Sequence, residues 1–518
     1  MREARRTPRS RIIQRLVAGM TVGVLTTAIV FAAMGWFPFS SLRPREVQVA
    51  ATARIAALPT TIGFHDPDSY FMTDADVNQT FDKMLDTGVK NVRLMIPWAG
   101  AEPVQNQFDW TNVDRTVNAA VARNMAIIGI INASPAWAVA PGVPAISGRP
   151  ASPAQYADFA ELVAARYQGK VSAYEVWNEP NGAQFFAPQP DAPGYTELLK
   201  AAYPKIKAAD PNATVIGGVV GSVVDWGTWL VNPVTFVQQM YDAGAKNFMD
   251  ALSFHPYHYQ LKFSDGYGIA NSPLDQTVAL RRIMVANGDA SKKIWATEYG
   301  EPMTATDEAG QAAFIMDLIN KWQEMPYTGP IMIHTTRDRQ TGSTDVENVF
   351  GVYRTDWTAK PAQVAMKDAI AAGIPKSPEY QRFSAITDPS YGEVLSPVYR
   401  ATPAVWAQAR TTSTLFETPT GIIASPTPVA DKARQFGGYP KTEFQNGYQD
   451  FESPTGTRVW WSPATDAHAV GGGFVAAWVP QLGLALTDEF RDGWATRVNF
   501  EHGYITWLPW IGTQVTFT

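Results

Sequence analysis

Between residues 60 and 373 the chain alternates eight short apolar runs with amphipathic segments, and no other feature restricts the fold as strongly. The runs cover residues 61–64, 91–97, 126–132, 173–177, 214–220, 251–255, 293–298 and 330–335. They are too short for buried helices and rich in β-branched residues, so they read as strands. Helical patterns occupy 76–87, 153–167, 195–209, 233–243, 274–285 and 308–324; Phe159, Leu162, Val163 and Tyr167 share one face of the second. Strands alternating with helices imply a parallel sheet, and eight units over roughly 310 residues fit a closed (β/α)₈ barrel better than an open sheet. No Gly-rich dinucleotide fingerprint opens any helix.

In such a barrel the active site lies at the C-terminal ends of the strands. Strand four runs into Trp177-Asn178-Glu179-Pro180-Asn181, where Pro180 stops the strand and leaves Asn178 and Glu179 at its mouth. Strand seven ends in Thr297-Glu298-Tyr299-Gly300. Strands four and seven stand on opposite sides of an eight-membered ring, so two carboxylates are expected to face each other across the top. Double-displacement glycoside hydrolysis needs such a pair, one as acid/base and one as nucleophile. Strand position alone does not say which is which. Arg93 on strand two should point inward and requires a carboxylate partner; beside Glu298 it would keep that group ionised. Tyr257, after strand six, could donate to the same carboxylate, and Asn178 could bind a sugar 2-hydroxyl. Trp98, Trp137 and Trp177 lie near strand mouths, placed either to stack on sugar faces or to pack under loops. His255 reads as a hydrogen-bonding residue lining the site. His255 and His258 are three apart and have no obvious third ligand, so no metal and no cofactor is expected.

These motifs resemble clan A of the glycoside hydrolases. They are Trp177-Asn178-Glu179-Pro180-Asn181, His255-Pro256-Tyr257 and Thr297-Glu298-Tyr299-Gly300. The longer phrase from Glu175 to Asn181, with Ser134-Pro135-Ala136-Trp137-Ala138 after strand three, is most similar to family 39 and its relatives. The resemblance covers the barrel and implies that Glu179 is the acid/base, that Glu298 is the nucleophile and that anomeric configuration is retained. Where many clan A enzymes carry a Trp at the end of strand eight, this chain has Ile333-His334-Thr335-Thr336.

The first 15 residues hold six arginines against one acid, Glu3, and residues 16–39 carry no charge. That run is long enough to span a bilayer as a helix. The basic cluster would hold the N-terminus in the cytoplasm and place the rest outside. The expectation is a single-pass membrane anchor, with a cleaved signal peptide and a secreted product as the alternative. Residues 40–59 then form a linker.

Beyond residue 373 prolines interrupt any helix, and a repeat module of β-rich texture is expected over 374–518. Phe416-Glu417-Thr418-Pro419-Thr420-Gly421 recurs 35 residues later as Phe451-Glu452-Ser453-Pro454-Thr455-Gly456; Trp461-Ser462-Pro463 recurs 46 later as Trp507-Leu508-Pro509. Small units of this kind bury their apolar faces on one another. Gly437-Gly438-Tyr439-Pro440, Val459-Trp460-Trp461-Ser462-Pro463 and Leu482-Gly483-Leu484 resemble the LGFP repeats of actinobacterial envelope proteins, with Leu484-Ala485 in place of the Phe-Pro of the name. That resemblance implies attachment to cell-wall glycan.

Net charge is −6, which leaves no footprint for nucleic acid. The absence of cysteine excludes a thiol nucleophile, thiolate metal sites and disulfides. The leading expectation is a membrane-anchored, extracytoplasmic retaining glycosidase acting on an oligo- or polysaccharide of the envelope. A non-catalytic glycan-binding protein and a transglycosylase on the same machinery are the alternatives. A mutually repelling carboxylate pair, useless to a receptor, weighs against the first of these.

Overall fold

The computed structural model describes residues 53–518. The expected membrane segment at 16–39 and most of the linker lie outside them, and among the described residues no helix is long and apolar enough to cross a membrane.

The chain divides into two compact units. One runs to Gln323 and resumes over Tyr327–Pro375; the other comprises Glu324–Pro326 and Lys376–Thr518. The first is a closed parallel barrel of eight strands in sequential order: β1 (Ile62–His65), β2 (Asn91–Pro97), β3 (Ala126–Asn132), β4 (Ala173–Val176), β5 (Thr214–Gly221), β6 (Ala251–His255), β7 (Ile294–Tyr299) and β8 (Thr328–His334). Closure is made by β1 against β8, with Ile62 opposite Ile331 and His65 opposite His334. One main helix follows each strand: α1 (Asp74–Asp86), α2 (Thr111–Ala122), α3 (Pro153–Arg166), α4 (Ala192–Ala209), α5 (Pro233–Asp242), α6 (Pro273–Ala286), α7 (Glu308–Trp322) and α8 (Pro361–Ala371). Local chemistry sets several starts. The Ser152 and Ser272 side chains accept from Gln155 and Asp275 N–H, and each is followed by a proline in the first turn, where a missing N–H costs nothing.

The helices α2 and α8 have no counterpart in the sequence expectations. The buried stripe of α2 is Val113, Thr116, Val117 and Ala120, and no side chain caps it. These positions fall at i, i+3, i+4 and i+7, the spacing of Val77, Thr80, Phe81 and Met84 on α1, so the helical period is present in the sequence.

Inside the barrel Ile128, Ala173, Ile216, Ala251, Trp295 and Met332 form one apolar cluster, and Ile55 packs against it. This plug leaves the opposite ends of the strands for polar side chains.

The second unit holds three four-stranded antiparallel sheets: β9–β12 (Tyr399–Thr402, Val405–Ala409, Ser413–Thr418, Gly421–Pro426), β13–β16 (Tyr439–Pro440, Tyr448–Glu452, Thr457–Ser462, Thr465–Gly471) and β17–β20 (Phe490–Asp492, Ala495–Phe500, Gly503–Leu508, Gly512–Phe517). Successive units share cores. Val429 and Ala433, after the first sheet, pack with Phe451 and Val459 of the second; Trp460 and Val470 of the second pack with Val498, Phe500 and Ile505 of the third. The 46-residue spacing relates equivalent strand ends, Ser462 closing β15 and Leu508 closing β19. The 35-residue spacing does not. Phe416 lies on the third strand of its sheet and Phe451 on the second, so that similarity marks a recurring hairpin-turn sequence, not the structural repeat.

Candidate active site

The barrel places Glu179 and Glu298 at the ends of β4 and β7, each in its own hydrogen-bond network. Beyond β4 the chain turns sharply through Trp177 and Glu179, both with positive φ (72° and 43°). Such backbone costs about 1–3 kcal/mol per residue and persists only where its surroundings hold it. Here Glu179 N–H donates to the Val219 carbonyl at 2.8 Å, and the Trp177 indole donates to the Phe185 carbonyl at 2.7 Å. Gly221, at the end of β5, permits the close approach: a Cβ there would sit 2.8 Å from Glu179 Oε1.

Arg93 is buried beneath both mouths. Its Nε donates to Glu175 Oε2 at 2.7 Å, Nη1 to Glu298 Oε2 at 2.8 Å and Nη2 to Asn178 Oδ1 at 2.8 Å. The inward-pointing arginine thus has the carboxylate partner expected at Glu298. It has a second in Glu175, which sequence reasoning did not single out. A charged residue inside a fully buried strand was the available signal. Arg93 has no exposed face, so it orients the site from below and does not reach a bound sugar.

Two donors converge on Glu298, Arg93 and Tyr257, whose Oη lies 3.0 Å from Oε1, and His65 Nε2 lies 3.3 Å from Oε2. Burial opposes its ionisation, but the charge of the Arg93 guanidinium, and of the His65, His255 and His334 imidazoles when they are protonated, holds the carboxyl below the usual range. Burial also keeps His65 and His334 below the ordinary imidazole value, so Arg93 is the lasting charge. Burial first, then Glu298, pushes the Tyr257 phenol well up, which keeps it a donor.

Glu179 sits differently. Its Oε1 lies 2.9 Å from His255 Nδ1, and His255 Nε2 lies 3.1 Å from Thr297 Oγ1, which meets Ser253 Oγ at 2.5 Å. These partners are satisfied together when His255 carries its proton on Nδ1 and accepts from Thr297. Glu179 therefore faces one imidazole, Glu298 a guanidinium, a phenol and an imidazole.

Of the tryptophans near the strand mouths, Trp98 and Trp177 are 0% and 1% exposed. Trp98 stacks on Phe159 with centroids 5.5 Å apart, and Trp177 packs edge-on to Phe186. Of the two alternatives, both take the packed one, because aromatic layers under the loops enclose them. Trp137 is half-buried; its indole donates to the Glu102 carbonyl at 3.1 Å. At the end of β8, His334 packs edge-on to Phe350 and lies 5.5 Å from the His65 ring. Neither His65 nor His334 was anticipated as a neighbour of Glu298, since strand closure alone pairs them.

His65, Glu298 and His334 offer ligand atoms within 4.8 Å of one another. Arg93, bonded to that same carboxylate, opposes a cation there.

Glu301, two residues beyond β7, is fully buried, and neither carboxylate oxygen has a hydrogen-bond partner. Burial raises its pKa to about 8. The native state holds this proton more tightly than the unfolded chain does, so the associated stability is complete below about pH 4 and is lost as pH rises through about 8. Glu301→Gln should raise Tm by roughly 5–10 °C at pH 9, corresponding to on the order of 3 kcal/mol, and change it little at pH 5. Equal shifts in thermal melts at the two pH values would refute this account.

The comparisons place this geometry in a family. The model of the cellulase family (glycosyl hydrolase family 5) matches residues 51–327, more than half of the chain, and that of the LGFP repeat matches 428–481. Among solved structures, a family 39 glycoside hydrolase from Bacteroides cellulosilyticus is 21% identical with a TM-score of 0.52, covering 70% of this chain and 71% of its own. The GH5_18 protein of Streptomyces cattleya is 16% identical with a TM-score of 0.48, covering 62% and 82%. A monomeric β-xylosidase from Caulobacter crescentus is 17% identical with a TM-score of 0.46, covering 71% and 74%. No curated protein matches the chain. The chain belongs to the cellulase family, glycosyl hydrolase family 5, and is a retaining clan A glycoside hydrolase with an LGFP repeat in its C-terminal part.

Proposed function

We propose that Glu298 attacks the anomeric carbon while Glu179 protonates the leaving glycosidic oxygen, forming a covalent glycosyl-enzyme. Glu179 then removes a proton from water, which displaces Glu298 and releases the sugar with its original configuration. The observation that carries this assignment is the unequal environment of the two carboxylates: Glu298 is clamped as an anion by Arg93 and Tyr257, whereas Glu179 meets only His255 in the network. The Asn178 amide oxygen is taken by Arg93, which leaves its nitrogen for a sugar hydroxyl. His255 lines the acid/base side, and Trp137 supplies a half-buried ring at the third mouth.

In this reading the substrate is an oligo- or polysaccharide of the cell envelope, hydrolysed outside the cytoplasm. Residues 16–39 anchor the chain in the membrane with the basic N-terminus inside, and residues 374–518 hold it to wall glycan through the repeat module. The support lies in the charge pattern of the first 39 residues and in the LGFP match.

Leaving-group dependence tests the acid/base role. Glu179→Gln should lower kcat/KM on unactivated oligosaccharides by about 10³-fold and barely affect formation of the glycosyl-enzyme from dinitrophenyl glycosides, which need no proton. Azide should accelerate turnover of the latter and give a glycosyl azide of retained configuration. Equal losses on both substrates would remove Glu179 from this role.

A further inference from the structure

The loop after β5 carries an exposed aromatic tip that the chemistry above does not use. Every residue from Val224 to Trp229 is exposed, Trp226 to 45% and Trp229 to 57%. Two bare indoles three residues apart are a costly surface unless something covers them. The tip is built, not loose. Trp226 N–H donates to the Leu230 carbonyl and Trp229 N–H to the Trp226 carbonyl, each at 3.0 Å. Its base is tied down by Asp225, whose Oδ1 accepts from Asn232 N–H at 2.8 Å, and by Gln276, whose Nε2 donates to the Val223 carbonyl at 3.0 Å.

Its placement names the occupant. The segment directly after Glu179 is bonded to this loop: Ala183 N–H donates to the Trp229 carbonyl at 2.7 Å, Val231 N–H to the Asn181 carbonyl at 2.9 Å, and Asn181 Nδ2 to the Val231 carbonyl at 3.0 Å. Gly182 N–H in turn donates to the Glu179 carbonyl at 3.0 Å. The Glu298 side is walled instead. Arg339, after β8, grips Asp68, after β1, with two hydrogen bonds of 2.7 Å, and Phe350 packs against Tyr257, Tyr259 and His334.

We infer that Trp226 and Trp229 form a platform for the leaving-group sugars, so that the enzyme takes a glycan chain whose departing portion stacks on this loop. The inference rests on Glu179 as the acid/base, because the group it protonates marks the leaving-group side. Sugar rings present apolar C–H faces that match the exposed indoles, and a chain of two or more sugars is needed to reach past the cleaved bond.

The test compares the full protein with Trp226→Ala/Trp229→Ala on two probes: oligosaccharides of four or more sugars released from bacterial envelope polysaccharide, and 4-nitrophenyl monoglycosides. We expect kcat/KM on the oligosaccharides to fall at least tenfold, mainly through KM, with aryl glycosides within twofold of the parent protein. Equal losses on both probes, or no loss on either, would overturn the platform. Binding of the same oligosaccharides to Glu298→Gln protein, followed by tryptophan fluorescence, gives a readout independent of turnover; absence of any tryptophan response would also overturn it. Full oligosaccharide turnover by Glu179→Gln would instead sink the acid/base assignment and leave the binding result to judge the platform separately.

Discussion

Glu298→Gln should lower kcat by on the order of 10⁴-fold or more on every glycoside, activated or not, because no other carboxylate can take its place on that face of the sugar. This uniform loss distinguishes it from Glu179→Gln, whose deficit depends on the leaving group. Azide supplied to a Glu298→Gly variant should restore turnover from the vacated side and give a glycosyl azide of inverted configuration, which NMR of the product reads directly. The pH profile offers a second check. Glu298 is held below the usual carboxylate range, so it is ionised throughout neutral and mildly acidic conditions, and its protonation should limit kcat/KM only in strong acid. Full activity in Glu298→Gln, or a retained azide product from Glu298→Gly, would rule this residue out as the nucleophile.

The second large effect concerns Arg93. It is the common counter-ion of Glu175 and Glu298, and both Arg93 and Glu175 are fully buried. Arg93→Leu strands an anion in the barrel interior and should cost about 3–5 kcal/mol, lowering Tm by roughly 10 °C. Changing Arg93 and Glu175 together, Arg93→Leu/Glu175→Leu, removes the fully buried stranded charge and leaves only the partly exposed Glu298 without its cation, so it should recover part of that stability, since a buried pair replaced by apolar groups is often close to neutral. Activity should not recover, because Glu298 and Asn178 still lack their anchor. The acid limb of any residual activity should move to higher pH, as the nucleophile loses the cation that kept it ionised. Additive destabilisation in the double variant would show that the pairing with Glu175 is not what holds Arg93 in place.

The barrel was legible because each strand is short, apolar and buried on both faces. β2, β3 and β6 have the expected ends, Arg93 and Tyr257 bond to Glu298, and His255 meets Glu179. The failures have definite causes. α2 has the same helical spacing as α1, but with Ala and Val where α1 has Met and Phe, so its stripe is less apolar rather than narrower. Trp98 and Trp177 sit at strand ends as expected, but whether a ring at such a position faces the cleft or the layer beneath depends on neighbours such as Phe159 and Phe186. The 35-residue match in the C-terminal third reflects turn chemistry, which recurs wherever a tight hairpin of that form is needed.

The sequence by itself determined the order of elements, the inward position of a charged residue on β2 and the two glutamates at opposite strand mouths, because periodicity and strand ends are local properties. Arg93 and Tyr257 were expected at Glu298, but tertiary structure alone brought His65 to Glu298, His255 to Glu179 and Glu175 to Arg93. His65 reaches Glu298 only because β1 closes on β8, and Glu175 meets Arg93 only because inward side chains from strands 82 residues apart share one interior. The difference between an anion held by a guanidinium and a phenol and a carboxyl facing one imidazole comes from those long-range contacts, and electrostatic environment depends on distance in space, which spacing along the chain does not encode.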